Sequence, residues 1–403
     1  MTAMIPTIDA QPHSNGMALR RNMLIAVISF LTLVDLFAAQ AILPSLTKAF
    51  NVSPTAMSLA VNASTVGMAI AGLAIAWLAR GLTRRTAIWI SLAVLAIPTT
   101  LLASTTDLGT FAALRVAQGL CMSAAFTLTI AYLAEHCTAD EAASALAAYV
   151  TGNVACNLFG RLLSASVADG FGIAINFYVF AALNLAGAAI VYYGLDRTDP
   201  MQKSSPAMGG TFSAWAMHLS DPGLRAAFAI GFLILFVFIG TFTYVGFELR
   251  QPPLSLGAMQ LGLVYFVFLP SILTTPWAGA AAHHLGTRPV FWGSIAVSLA
   301  ALPLMLMADL NSVLSGLALL AAGTFFAQAA ATAYVSRAAT MERGAASGLY
   351  LASYYIGGLA GTAVLGPLYQ YAGWQACVAA LGVALIAAAV LAFSLRLPPT
   401  TQS

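Results

Sequence analysis

The chain has 403 residues, of which 60% are hydrophobic and 7% charged, with a formal net charge of +3. A soluble domain carries about 25% charged residues, so a water-facing exterior is excluded and lipid is the expected cover. No dense basic face with interleaved aromatics is present, which excludes a nucleic-acid partner.

In chain order, residues 1–21 read as a polar cytoplasmic tail; the first 19 lack the apolar core of a signal peptide, so the helix that follows is retained. A membrane-spanning helix needs about 20 mostly apolar residues. Twelve such runs occur: 22–46, 57–79, 86–106, 109–135, 142–168 and 172–195, then 224–248, 258–282, 288–307, 311–337, 344–371 and 374–396. Residues 196–223 hold Asp-Arg-Thr-Asp-Pro and Gly209-Gly210 and predict a flexible cytoplasmic linker. The expected organisation is a six-helix bundle over 22–195, the linker, a second bundle over 224–397 and a short tail, 398–403. The four cysteines are scattered without ligand spacing and read as packing residues.

Span one carries Asp35 in its middle. A carboxylate there is costly, about 3 kcal/mol on insertion scales, so it is expected to meet a water-filled path or a cation. Hydrocarbon favours the neutral acid and a nearby cation the carboxylate, so a site that moves between the two can load and release a proton. The alternative is a structural partner to an arginine. Span four carries Arg115. Counted at 1.5 Å per residue, Asp35 and Arg115 both lie roughly 20 Å from the cytoplasmic surface. Arg115 can therefore pair with Asp35, anchor an anionic substrate or brace helices.

Span five carries Tyr149, Asn153, Asn157 and Arg161 four residues apart, one stripe that lines a cavity or bonds across helices. In span seven Thr241, Tyr244 and Glu248 share a face. Glu248 reads as a second titrating acid or a solvated helix end. Gln328 in span ten requires partners for its amide. Tyr350 and Tyr354 in span eleven suit stacking on a substrate, or packing.

Basic residues set the orientation. With the N-terminus in the cytoplasm, Lys48 and Arg250 are the outer cations, Arg115 and Arg161 lie within spans, and the other twelve of the sixteen Lys and Arg face inward. The halves also repeat. Ala79, Leu82 and Arg85 recur as Ala282, Leu285 and Arg288, and Gly160 and Gly172 as Gly361 and Gly373. Two six-helix repeats of like orientation form a transporter architecture.

Twelve spans, a long central cytoplasmic loop and a basic loop between spans two and three resemble the major facilitator superfamily. Leu114-Arg115-Val116-Ala117-Gln118-Gly119 is similar to that family's Arg-x-x-Gln-Gly pattern, and Ala41 to Phe50 and Gly160-Arg161 also match. The two–three loop keeps Arg84 and Arg85 but has Arg80 where the family has an acid. Its second copy keeps Gly286 and Arg288 but has His283 there. The resemblance implies an all-α membrane protein of twelve helices in two pseudo-symmetric bundles, with Arg80, Arg84, Arg85, His283, Gly286 and Arg288 in gating loops. Within the superfamily it is closest to bacterial drug and sugar (arabinose-type) efflux permeases.

The expectation is a secondary active transporter of the bacterial inner membrane, multi-pass, monomeric, both termini cytoplasmic, exporting a small organic molecule in exchange for protons. Asp35, Arg115 and Glu248 are expected to couple protons. Asn153, Asn157, Arg161, Tyr244, Gln328, Tyr350 and Tyr354 are expected to line the cavity. Proton-coupled uptake and a non-transporting sensor are the alternatives. No nucleophile elbow, phosphate loop or metal spacing occurs, so no enzyme, cofactor or metal is expected.

Overall fold

The computed structural model describes residues 13–78, 83–136, 139–195, 211–278, 281, 284–339 and 341–395. Nearly all of them are helical, as lipid requires, since a helix satisfies its backbone polar groups internally. Span one is His13–Ala41, followed by the short helix Leu43–Phe50. Spans three to six are Arg84–Leu102, Leu108–His136, Ala139–Phe171 and Ile173–Gly194. Span seven is Pro222–Glu248, span nine Thr287–Leu304 and span ten Leu310–Ala338. Spans eleven and twelve form one helical stretch, Arg343–Leu391, that turns at Gly373. Among the described residues, eight helical stretches are long and apolar enough to cross a membrane, and the last of them holds these two spans.

Helix starts are set by short polar side chains that accept a bond from an otherwise orphaned N–H. Asp107 accepts from Thr110 N at 2.7 Å and Asp309 from Ser312 N at 2.9 Å, opening spans four and ten at matching places in the two halves. Asp221 does the same for span seven. The turns between spans five and six and between eleven and twelve each place a glycine at positive φ, Gly172 at 90° and Gly373 at 74°. This is backbone that a side chain would strain.

Two helices are interrupted. Span two runs Pro54–Asn62, breaks at Ala63 and resumes as Ser64–Leu78. Span eight runs Ala258–Val264, tightens to a 3₁₀ turn over Tyr265–Phe268, and continues as Leu269–Thr274 and a second tight turn, Thr275–Trp277. Pro270 and Pro276 remove two helical N–H donors, which explains the second break. Taking the Arg85–Arg288 correspondence as the register, the two interruptions fall at equivalent positions.

Within each half one helix pair dominates, span one against five and span seven against eleven. Glycines make both contacts possible. A Cβ at Gly152 would stand 2.1 Å from Ala26 O, and one at Gly357 would stand 2.0 Å from Phe232 O. Ser29 Oγ donates to Tyr149 O at 2.6 Å, and Ser353 Oγ to Phe228 O at 2.9 Å. The halves meet along two seams, span two on eleven and span five on eight. The segment expected to be a flexible linker is helical over Thr211–Ser220, where buried Ala214 and His218 dock it against spans seven and eleven.

Candidate functional site

Two polar clusters share span one; the first lies inside the N-terminal half and the second reaches across to the other half. The first surrounds Asp35, which is 3% exposed. Its Oδ1 accepts from Gln118 Nε2 at 3.1 Å and lies 3.1 Å from Thr99 Oγ1. Gln118 Nε2 also donates to Thr99 Oγ1 at 2.7 Å, as does Asn184 Nδ2 of span six at 3.2 Å. Oδ2 has no hydrogen-bond partner among the described residues. Pro98, inside span three, removes a helical N–H next to Thr99.

Arg115 shares this cluster, but it grips main chain. Nε donates to Val61 O at 2.8 Å and Nη1 to the Asp35 main-chain O at 3.1 Å. Nη1 also donates to Gln118 Oε1 at 2.7 Å and Nη2 to Ser64 Oγ at 3.1 Å. Gln118 thus stands between cation and carboxylate, accepting from one and donating to the other. Arg115 braces spans one and two from span four.

The second cluster lies about 7.5 Å farther along span one, five residues at 1.5 Å each. Gln40 Nε2 donates to Asn62 Oδ1 at 2.6 Å, and Arg161 Nη2 donates to Gln40 Oε1 at 2.6 Å. Asn62 Nδ2 reaches Ser58 O and, across the seam, Thr243 Oγ1, both at 3.1 Å. Arg161 is fully buried. Its guanidinium carbon stands 4.6 Å from the Tyr265 ring centre, 5.2 Å from Phe37, 5.5 Å from Phe268 and 5.6 Å from Phe242. Cation–π contacts at such distances gain most when water is excluded. Nε and Nη1 of Arg161 have no hydrogen-bond partner among the described residues.

The remaining expected residues scatter. Tyr149 ties span five to span four through a 3.0 Å bond to Phe126 O. Asn153 is half-buried, and the amide of buried Asn157 donates to Asn153 O at 3.5 Å. Tyr244 donates to Thr362 O at 2.8 Å and stacks on Tyr369, a tie between spans seven and eleven. Glu248 accepts from the Tyr369 hydroxyl at 3.3 Å. Tyr350 and Tyr354 stack on each other at 6.1 Å. Gln328 is half-buried in span ten.

Of the expected gating residues, Arg80 and His283 lie outside the described residues. Arg85 donates to Tyr192 O and covers its ring, and Trp89 packs on the same ring. Arg288 donates to Leu395 O at 2.7 Å and Phe393 O at 2.5 Å, and Trp292 packs on Phe393. Each arginine therefore satisfies carbonyls at the C-terminal end of its own half's last span. Gly286 opens span nine at φ 87°. Gln40, Asn62, Thr99, Asn184 and Thr243 were missed by sequence reasoning; the available signal was a single amide or hydroxyl inside an apolar run.

The family model for the Major Facilitator Superfamily matches residues 25–270 and 253–403. The inner membrane transport protein YnfM of Escherichia coli is 27% identical over 357 residues, 89% of this chain and 86% of that protein. The uncharacterized MFS-type transporter YybF of Bacillus subtilis is 25% identical over 92% of both chains. The fold is similar to a bacterial homologue of the human lysosomal transporter Spinster, in an inward-facing, occupied conformation. The TM-score is 0.69 at 13% identity, over 96% of this chain and 95% of that one. These features define a multi-pass membrane transporter scaffold of two six-helix bundles. The chain belongs to the Major Facilitator Superfamily.

Proposed function

We propose that this transporter exchanges protons for a small organic molecule, with Asp35 as the proton carrier and the two bundles rocking about the clusters just described. The carrying observation is the state of the Asp35 carboxyl: one oxygen is held by Gln118 and Thr99, and the other is buried with no hydrogen-bond partner among the described residues. An unpartnered buried carboxylate oxygen is costly, and protonation relieves that cost. Gln118 and Arg115 then transmit the charge of Asp35 to spans one, two and four. The finer likeness to arabinose-type efflux permeases supports export, and the excess of basic residues at the end bearing both termini supports a cytoplasmic placement for it. Arg115 acts as a brace that positions the acid, and Glu248 stays at the far mouth.

The test is substrate-driven proton movement in everted membrane vesicles. Asp35→Asn keeps the shape and removes the titration; substrate movement down its own gradient is expected to persist while proton movement disappears. Proton movement undiminished in Asp35→Asn would exclude Asp35 as the carrier.

A further inference from the structure

The Arg161 cluster holds more than helix packing requires. A cation sealed from water normally has its donors fully satisfied. Among the described residues Arg161 has one good acceptor, Gln40, and two nitrogens without one. Tyr265 stands over its face, with its hydroxyl nearby but in no well-formed bond to Nε or Nη1. Three of the four rings come from the opposite half, Phe242 from span seven and Tyr265 and Phe268 from the tight turn of span eight. The first segment of span two ends at Asn62, which joins the same cluster through Gln40. Discontinuous helices at a repeat interface commonly hold substrate in transporters.

A cavity of about 110 Å³ lies on one side of this cluster, lined by Ala41, Ala165, Asp169, Arg250 and Leu261 among others. That volume admits several waters. Ala41 is one turn beyond Phe37, Ala165 one turn beyond Arg161, and Leu261 one turn before Tyr265. The cavity therefore stands one helical turn from the Arg161 cluster on three separate helices, toward the end of the bundle at which span one finishes.

We propose that Arg161 and its rings bind a small organic anion, a carboxylate on a flat aromatic frame, which reaches them through this cavity. The carboxylate completes the guanidinium's hydrogen bonds, and Phe37, Phe242, Tyr265 and Phe268 hold the ring. This names the substrate class for the transport reading above and rests on it.

The experiment is equilibrium binding to the purified full chain in detergent, with benzoate, phenylacetate and cinnamate as probes and benzamide as the uncharged control. Binding of at least one carboxylate, and none of benzamide, is expected. Arg161→Gln should weaken it about thirtyfold or more, as loss of a buried charge partner does. Gln40→Glu, which places a carboxylate beside Arg161 without changing its size, should weaken it similarly and covers the case in which Arg161→Gln fails to fold. No binding of any of the three acids, or binding unchanged in either folded variant, overturns the proposal. Binding is read without transport or protons. Anion binding without proton exchange would thus sink the transport reading alone, and proton exchange with a non-anionic substrate would sink the site alone.

Discussion

Thr99 joins three helices through one hydroxyl: it meets Asp35 of span one, Gln118 of span four and Asn184 of span six. Thr99→Val keeps the branched shape and removes these partners. Leaving buried polar groups unpaired costs about 1–3 kcal/mol each, so the thermal midpoint of the purified protein is expected to fall. An unchanged midpoint would show that the cluster adds nothing to stability. The caps at Asp107 and Asp309 make a pH prediction. The backbone N–H groups of Thr110 and Ser312 hold these two exposed carboxylates below their usual range. A depressed folded pKa gives stability that is present above the unfolded value and lost as pH falls through the folded one. Asp107→Ala and Asp309→Ala should therefore lower the unfolding midpoint at neutral pH, and the difference from the parent should vanish on acidification. A difference independent of pH would rule out the charge as its source. At this scale Asp35 was legible because an acid in an apolar run stands out. Thr99, Asn184 and Gln40 were not, since a lone polar residue carries no period, and their meeting is a fact of tertiary packing.

At the scale of elements, the pairing of span one with five depends on the bare backbone at Gly152. A Cβ there would sit 2.1 Å from Ala26 O, whereas one at Gly246 meets nothing within 4 Å. Gly152→Ala is expected to destabilise by about 1–3 kcal/mol or more through overpacking. Gly246→Ala should be neutral or stabilise by roughly 0.5–1 kcal/mol through helix propensity. Equal midpoints for both variants by scanning fluorimetry would contradict the packing. The positions of the spans were readable because hydrophobic runs of this length have few other uses. The interruption of span eight had a visible cause in Pro270 and Pro276. That of span two did not: it contains neither Pro nor Gly. Side chains compete with the helix there, Asn62 Nδ2 bonding Ser58 O and Thr65 Oγ1 bonding Asn62 O.

Across the whole molecule, the repeat is faithful in its frame and broken in its chemistry. Asp107 matches Asp309, Trp89 matches Trp292, and Arg85 and Arg288 end their bundles in the same way. Yet the position equivalent to Arg115 in the Asp107–Asp309 register holds Leu317, and that equivalent to Arg161 in the Gly160–Gly361 register holds Thr362, both buried. Sequence comparison of the halves found the frame because caps, turns and loops constrain residue identity. It could not show that the first half keeps the charges and the second supplies the rings. Orientation is testable with single cysteines at exposed Thr106 and Ser220 after replacement of the four native cysteines. An impermeant maleimide should label Thr106→Cys in intact cells and Ser220→Cys only after permeabilisation. The reverse pattern would invert the topology.

The ring shell around Arg161 is shared unequally between the two bundles, one ring from its own and three from the other. On the proposed rocking, parting the bundles would leave the guanidinium with Phe37 and Gln40 of its own half and let water wet it. Closing them again must strip that water, at a cost of several kcal/mol for an uncompensated ion. The dry form is then easiest to reach when a counter-charge rides in with the arginine, so an empty carrier and a loaded one would close with different ease.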